Sequence, residues 1–334
     1  MRRPPKIKSI RPAAAIAGGR VVIEGTGFDP DEVSSLKITF NGLEARPLLV
    51  SKTRIVTIVP DQAEKGPVTI LLGNKKSNAF DIVLGTKIAD NVNPVDSPVF
   101  DRSGNLYTTF SGKRGETVPV SVFKIDPQGS ITPFLSNIPN ATSLAMDREE
   151  NLYISSRFEG TVYKATPKAD VTIFAKDLGN PTGLTFEPQG FLYVGDRNGR
   201  ILKISPEGDV ATFAEIPESM VAFHLTTDLQ GNLLVSNPGM STHNSVLMID
   251  PYGKAIPLYG GFGRPQGITV DPEGNIYVCE AKAGESAIYR ITPSGEKSSY
   301  LTGPVMVGLS FDRNQNLAVA TPDTVYLVRA HEPL

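Results

Sequence analysis

Histidine and cysteine, two residue types often used for acid–base, nucleophilic or metal chemistry, are scarce in this 334-residue sequence. There are three histidines (His224, His243 and His331) and a single cysteine, Cys279. One thiol excludes a disulfide framework and a cysteine-based zinc site, and three scattered histidines do not indicate a multi-histidine metal centre. A neutral imidazole can act as a general base, so His224 and His243 are candidate catalytic residues. The simpler alternative for His224, which the sequence favours, is a side chain that fills space beside a channel.

A seven-residue motif, Asp-x-x-Gly-Asn-Leu-Tyr, indicates where these residues lie in the fold. Its six copies start 40 to 46 residues apart. The copies are Asp101–Tyr107, Asp147–Tyr153, Glu187–Tyr193, Asp228–Leu234, Asp271–Tyr277 and Asp312–Ala318. Short apolar runs surround each copy, for example at 181–186, 191–194, 200–204 and 210–213. Four short strands in about forty residues are typical of one β-propeller blade, and adjacent blades bury one another's faces. We therefore predict an all-β chain with a six-bladed β-propeller over residues 86–334.

The sixth repeat contains only three of the four strands that a blade needs. The segment 85–92 precedes the first blade and has no blade of its own. We predict that this segment pairs with the sixth blade and completes it, because pairing would remove an open sheet edge and close the ring.

The first 85 residues differ in charge from the rest of the chain. They hold 13 basic and 8 acidic side chains, whereas the remainder holds 20 basic and 27 acidic ones. Short β-branched runs lie at 21–23, 36–40, 54–59 and 68–72, with glycine, asparagine or proline turns between them. About seven such strands in roughly 80 residues describe an immunoglobulin-like β-sandwich. We therefore predict that residues 1–85 form a separate Ig-like domain.

Several stretches of this first unit also resemble the IPT/TIG family. They include Gly25-Thr26-Gly27-Phe28, Phe40-Asn41-Gly42 and Ser77-Asn78-Ala79-Phe80, and the resemblance covers about residues 5–84. The resemblance implies an Ig-like sandwich that serves as a spacer, docking surface or binding module, and rarely as a catalyst.

The repeats resemble NHL-type propellers and the regucalcin/gluconolactonase superfamily. The stretch Pro265-Gln266-Gly267-Ile268-Thr269-Val270-Asp271-Pro272 carries the resemblance most clearly, and the whole covers about residues 86–330. The resemblance implies a six-bladed fold but not one activity, since this scaffold hosts lactonases, esterases, lyases and pure binding proteins.

One column of candidate site residues lies five positions before each motif, on the innermost strand of each expected blade. Its members are Asp96, Thr142, Thr182, Phe223, Gln266 and Val307. In the gluconolactonase-like proteins that the repeats resemble, this column holds a divalent metal. The resemblance therefore implies calcium or another divalent cation at Asp96. The alternative, a buried and hydrogen-bonded Asp96, is favoured because calcium prefers six to eight oxygen ligands and the other positions supply few.

A second column lies nine positions after each motif start, at the expected ends of strands. Its members are Phe110, Ser156, Asp196, Asn237, Glu280 and Thr321. These side chains either form a polar funnel for a sugar, lactone or peptide, or they cap their own turns. Arg157 and Arg197 follow directly, and Lys282 comes two residues after Glu280; they either meet an anion or are simply solvated.

Composition sets limits on partners. The formal net charge of −2 argues against a general nucleic-acid or anionic-membrane binder, and no apolar run is long enough to span a bilayer. We expect a monomer. No apolar segment follows the basic residues at the start, which predicts a cytoplasmic protein, or an extracytoplasmic one if the N-terminus is trimmed.

Three functions follow from these residues. The first is a propeller that binds a small molecule or a protein at its mouth, with an Ig-like accessory domain and no catalytic constellation. The second is a metal-dependent lactonase or esterase with Asp96 as a ligand. The third is a lyase that uses His224 or His243.

Overall fold

The computed structural model describes residues 4–219, 221–282 and 286–330. Within these ranges the chain forms 34 β-strands and one 3₁₀ helix, Pro30–Ser35, which confirms the all-β prediction. No helix in this part of the chain is long and apolar enough to cross a membrane.

The N-terminal unit consists of two packed four-stranded sheets. Its first sheet has the order Lys6–Arg11, Arg20–Thr26, Arg54–Ile58 and Pro47–Val50. Its second sheet has the order Leu43–Ala45, Leu36–Phe40, Val68–Leu72 and Lys75–Lys76. Alternate residues of both sheets turn inwards and share one core, which includes Ile23, Ile38, Phe40, Ile55 and Ile70.

Six further sheets form the blades of a propeller, each built from an inner strand outwards. Blade 1 contains, in that order, Val99–Phe100, Leu106–Thr109, Val122–Ile125 and Ile131–Leu135. Blade 2 contains Ala141–Met146, Leu152–Ser156, Thr161–Ala165 and Val171–Ala175. Blade 3 contains Pro181–Phe186, Leu192–Asp196, Arg200–Ile204 and Val210–Glu215.

The remaining blades follow the same order. Blade 4 contains His224–Thr227, Leu233–Ser236, Asn244–Ile249 and Ala255–Phe262. Blade 5 contains Pro265–Val270, Ile276–Glu280, Ala287–Ile291 and Lys297–Thr302. Blade 6 contains Gly308–Phe311, Leu317–Ala320, Thr324–Val328 and, as its outer strand, Thr86–Asp90.

The ring closes through this outer strand of blade 6. Thr86–Asp90 pairs antiparallel with Thr324–Val328, which covers an edge that would otherwise be open. The inner strands contact one another in sequence from blade 1 to blade 6, and blade 6 contacts blade 1. The division of the chain into domains at residue 85 itself stays a prediction.

The N-terminal unit joins the propeller by extending blade 5. Ala14–Ala15 pairs in parallel with the outer strand Lys297–Thr302, and Val83–Leu84 pairs in parallel with Ala14–Ala15. The Ile16 backbone N–H also donates to the Thr302 carbonyl at 2.9 Å. Blade 5 is therefore a six-stranded sheet that fixes the sandwich to the rim of the ring.

The repeated motif forms the turn between the inner and second strands of a blade. In blade 5 the Asp271 carboxylate accepts from the Asn275 backbone N–H at 2.8 Å, from the Asn275 amide at 2.7 Å and from the Tyr277 hydroxyl at 3.0 Å. Gly274 has φ +81°, which a residue with a side chain rarely adopts. The motif therefore fixes each turn on one face of the ring, which we call the turn face. The opposite face, where the inner strands begin, is called the strand-start face.

Candidate functional site

The inner strands approach one another closely four positions before each motif. Glycine stands there in three blades, and a Cβ on Gly308 would lie 2.4 Å from the Ser97 Cα of blade 1. A Cβ on Gly267 would likewise lie 2.6 Å from the Gly308 Cα of blade 6. Blade 4 differs because it carries His224 at this position, so a large polar side chain stands where the other blades have glycine or serine.

His224 pairs with Asp96 across the axis of the ring. The imidazole Nδ1 contacts the Asp96 carboxylate, and the two residues are only 2% and 5% exposed. Asp96 belongs to blade 1 and His224 to blade 4, which are opposite one another in a six-bladed ring. This axial pair, Asp96 with His224, therefore closes the central channel near the strand-start face.

Gln266 of blade 5 completes the arrangement. Its Oε1 lies 3.4 Å from the His224 Nε2, and the Ser236 hydroxyl donates to the Gln266 backbone carbonyl. Both ring nitrogens of His224 therefore have a partner inside the ring. Neither nitrogen can take a proton from a ligand unless one of these contacts breaks.

The other predicted members of the first column do not join this group. The Thr142 hydroxyl donates to the Asn140 carbonyl at 2.8 Å, and the Thr182 hydroxyl donates to the Gly195 carbonyl at 3.2 Å. Both side chains are buried and serve their own blades.

Phe223 was expected beside the channel, but it packs in the core between blades 3 and 4. Its ring occupies the space that a Cβ on Gly195 would need. The physical reason is register: blades 2, 3 and 5 have a bulge at the start of the inner strand, whereas His224 in blade 4 pairs directly with Ser236. A one-residue change of register exchanges the faces of neighbouring side chains, so His224 turns to the axis and Phe223 to the core.

The donors near Asp96 do not fit a calcium site or a related divalent site. The carboxylate is engaged by His224 and by the Ser97 backbone N–H, and the neighbouring threonine hydroxyls donate to carbonyls. Calcium requires six to eight oxygens, usually with several carboxylates. Among the described residues, no group of three or more histidine, cysteine, aspartate or glutamate side chains could hold a metal.

In blades 2, 3 and 5 the second-column residue connects the second strand to the chain that enters the inner strand. Ser156 donates to the Pro139 carbonyl at 2.6 Å, and the Asp196 carboxylate accepts from the Asn180 N–H at 2.9 Å. Glu280 accepts from the Arg264 N–H at 3.0 Å in the same way. These bonds use the polar atoms that the funnel interpretation had assigned to a ligand.

Asn237 is the exception in this column. Its Nδ2 donates to the Pro217 carbonyl at 2.7 Å, but its buried Oδ1 has no hydrogen-bond partner among the described residues. His243, six residues later, lies exposed in the loop that follows, where its Nδ1 is 3.2 Å from the Thr242 hydroxyl. His243 forms no hydrogen bond with the axial pair, so the structure does not unite the two candidate catalytic histidines.

A cavity opens on the turn face, where the sequence suggested no site. Its volume is about 760 Å³. The residues just before four of the motifs supply its apolar lining, and they are Phe100, Met146, Phe186 and Phe311. Charged residues of the turns form its rim, among them three arginines: Arg102, Arg148 and Arg313.

The three arginines at this rim differ in what they bind. Arg102 donates from Nη2 to the Arg148 carbonyl of the next blade, and Arg148 donates from Nη2 to the Pro188 carbonyl of blade 3 at 2.7 Å. Arg313 is exposed at the cavity and makes no hydrogen bond or ion pair with the residues that the structure describes. Arg102 and Arg148 therefore connect adjacent turns, whereas Arg313 leaves its guanidinium open to the cavity.

A sequence signal for this cavity existed in the repeat. Arginine follows the first residue of the motif in three copies, at Arg102, Arg148 and Arg313. Sequence reasoning missed the signal because Arg102 and Arg148 bind backbone carbonyls of the next blade, and carbonyl acceptors cannot be seen in a side-chain pattern.

Comparisons with known proteins agree with this architecture. Residues 5–84 match the IPT/TIG domain family, which confirms the resemblance for the first unit. No curated protein matches the chain. An auxiliary nutrient binding protein from Bacteroides thetaiotaomicron VPI-5482 is similar in structure, with TM-score 0.58, 16% identity and 97% of each chain covered.

Two other solved structures are similar to the propeller. A candidate gluconolactonase has TM-score 0.59 and 17% identity, with 75% of this chain and 94% of that chain covered. Virginiamycin B lyase from Staphylococcus aureus has TM-score 0.53 and 15% identity, with 74% and 88% covered. At these identities the likeness shows the fold alone: a first unit whose residues 5–84 match the IPT/TIG domain family, followed by a six-bladed propeller.

Proposed function

We propose that this protein is a binding protein that takes a small molecule into the cavity on the turn face, with the Ig-like unit as an accessory domain. The observation that carries the proposal is the cavity itself, since its volume of about 760 Å³ is typical of a small-molecule site. The name of the Bacteroides neighbour, an auxiliary nutrient binding protein, supports a binding role on this architecture.

The axial residues support this choice by what they already bind. Asp96, His224 and Gln266 are nearly inaccessible and contact one another. A ligand there would first have to break the axial pair, whereas the cavity needs no such change. A hydrolase or lyase at the axis is therefore the less supported alternative.

The lining indicates which kind of molecule would fit. Phe100, Phe186 and Phe311 offer apolar surface, and Arg313 offers several N–H donors from a guanidinium with no partner in the described chain. A ligand with one apolar or ring face and one acceptor or acidic group satisfies both features. Ligands of this shape include substituted sugars and aromatic acids.

The fluorescent probe 8-anilinonaphthalene-1-sulfonate, with fused rings and one sulfonate, tests the site directly. We expect saturable binding of one probe per folded chain, weakened about tenfold by Arg313→Gln, because a hydrogen bond to a charged group contributes about 1.5–3 kcal/mol. Thr227→Phe, which fills part of the cavity, should abolish binding. Arg54→Gln removes an equal charge from an exposed site on the sandwich and should change nothing.

Circular dichroism of each variant shows that the fold is intact before the titration is compared. Wild-type protein that does not bind the probe, or an Arg313→Gln and a Thr227→Phe variant that both bind like wild type, would refute the cavity as the site. Absence of nucleic-acid binding, the monomeric state and the cellular compartment stay predictions, which gel-shift, sedimentation and fractionation experiments can test.

A further inference from the structure

Two arginines take equivalent positions in neighbouring blades on the strand-start face. Arg157 directly follows the second strand of blade 2, and Arg197 directly follows the second strand of blade 3. Because the blades repeat around the axis, equivalent positions in adjacent blades lie side by side. Both arginines lie on the face opposite the cavity, beyond the axial pair.

A third arginine reaches the same place from blade 1. Arg114 lies in a loop that the fully buried Asn140 of blade 2 holds from both sides. The Asn140 amide donates to the Ser111 and Lys113 carbonyls, each at 2.8 Å, and its Oδ1 accepts from the Gly115 N–H at 2.7 Å. This amide therefore fixes the backbone on both sides of Arg114 against blade 2.

The guanidinium of Arg157 is half-buried but weakly bound. Its one contact in the described chain is a 3.5 Å approach of Nη2 to the Ser111 hydroxyl, longer than a good hydrogen bond. Burial lowers the pKa of Arg157, and the like charges of Arg197 and Arg114 lower it further. A guanidinium has five N–H donors, so most of the hydrogen-bonding capacity of Arg157 is unused within the chain.

Carboxylates close to these arginines in sequence are engaged elsewhere. Asp196 pairs with Arg200 at 2.7 Å, Glu159 accepts from the Tyr163 hydroxyl, and the Glu116 carboxylate accepts from the Lys113 backbone N–H at 2.6 Å. Arg197 is itself engaged within the chain, since its Nε and Nη2 each lie 3.4 Å from the Ser219 carbonyl. Arg157 is therefore the guanidinium with unused donors, and two like charges beside it repel it. Such repulsion opposes folding, and an anion bound between the three groups would relieve it.

We propose that Arg114, Arg157 and Arg197 form a second ligand site, distinct from the cavity, that binds a small molecule through a carboxylate or phosphate group. The planar fork of a guanidinium matches the oxygens of both groups in pairs, which a lysine cannot do. The axial pair lies between the two sites, which are on opposite faces of the ring.

Isothermal titration with pyrophosphate and with citrate, at constant ionic strength set by chloride, tests the proposal. We expect at least one of the two anions to bind with one site per chain, and the stronger of the two identifies the phosphate or carboxylate preference. Arg157→Gln should weaken that binding by about tenfold or more, and Arg157→Lys should weaken it less, because charge remains but the paired geometry is lost. Arg54→Gln, matched in charge, should bind like wild type.

Thermal unfolding in chloride buffer supplies a second readout. If the three charges repel one another, Arg157→Gln melts at the wild-type temperature or above it and gains nothing from the anion. If Arg157 is instead part of the ring's own framework, this variant melts lower and the proposal is wrong. The proposal also fails if neither anion binds wild-type protein, or if Arg157→Gln binds like wild type. None of these results bears on probe binding in the cavity, so the two proposals fail separately.

Discussion

Removal of His224 should destabilise the propeller by leaving a buried carboxyl group without its partner. In wild-type protein the Asp96 carboxylate contacts the imidazole across the axis and accepts from the Ser97 backbone N–H. His224→Ala leaves that carboxylate buried among six inner strands with a single donor. Asp96→Ala leaves the imidazole with only the Gln266 oxygen at 3.4 Å.

The size of the effect follows from burial. Asp96 and His224 are 5% and 2% exposed, so water reaches neither group. Breaking a buried ion pair from one side costs about 3–5 kcal/mol, whereas replacing both partners by apolar groups is often neutral. The double variant Asp96→Ala with His224→Ala should therefore lose less than the sum of these two single variants, by about 1–3 kcal/mol.

Cys279 provides the assay. The chain has no tryptophan and one cysteine, and that cysteine is fully buried in blade 5. Reaction of the thiol with 5,5′-dithiobis(2-nitrobenzoate) in a urea series reports opening of the propeller and not of the sandwich. Circular dichroism on the same samples shows whether the two units unfold together, which decides whether one free energy describes the transition.

Two outcomes would refute the axial pair as a stabilising contact. One is a His224→Ala variant whose free energy of unfolding lies within about 0.5 kcal/mol of wild type, the range of an ordinary surface substitution. The other is strict additivity in the double variant. His243→Ala is the matched control, because that histidine is exposed in a loop and should have almost no effect.

Contacts between blades and the burial of Cys279 lead to three more predictions. Gly308→Ala should destabilise the ring by about 1–3 kcal/mol or more, because its Cβ would lie 2.4 Å from a backbone atom of blade 1. Urea unfolding measures this loss, and Gly260→Ala is the control because its Cβ would meet nothing closer than 3.5 Å. Arg148→Gln should lower the melting temperature because it removes a hydrogen bond between blades, whereas Arg313→Gln should leave it unchanged in a thermal melt. In native protein Cys279 should not react with the disulfide reagent at mildly alkaline pH, because burial raises the pKa of its thiol; rapid labelling without denaturant would contradict this.

The fold could be predicted because its determinants are local and repeated. The spacing of the turn motif reflects its hydrogen bonds. Asn275 and Tyr277 lie at fixed distances along the chain from Asp271 because both donate to its carboxylate. Six copies of such a turn imply six blades without any knowledge of long-range contacts. The IPT/TIG resemblance rested in the same way on short stretches with a fixed spacing, and the family match to residues 5–84 confirms it.

The site was harder to predict because it depends on register and on backbone atoms. Counting from the motif placed Phe223 beside the channel, yet the missing bulge in blade 4 gives that place to His224. The same count put Asp96 and Gln266 in one column, and in the structure both contact His224. The count could not reveal that these polar atoms bind one another, because a position in the repeat does not say which atom a side chain contacts.

The residues at the repeated positions of the propeller mostly hold the ring together. This limits which residues remain available to bind a ligand. The turn carboxylates bind their own turns, the second column binds the chain that enters the inner strand, and the axial pair joins opposite blades. Two residues that directly follow these positions do not hold the ring together in this way: Arg313 follows the turn carboxylate of blade 6, and Arg157 follows the second-column serine of blade 2. Because the repeated positions are needed to close the ring, ligands must bind mainly to residues next to them in sequence. Both proposed sites therefore use arginines that follow a repeated position, and not the residues of the two columns.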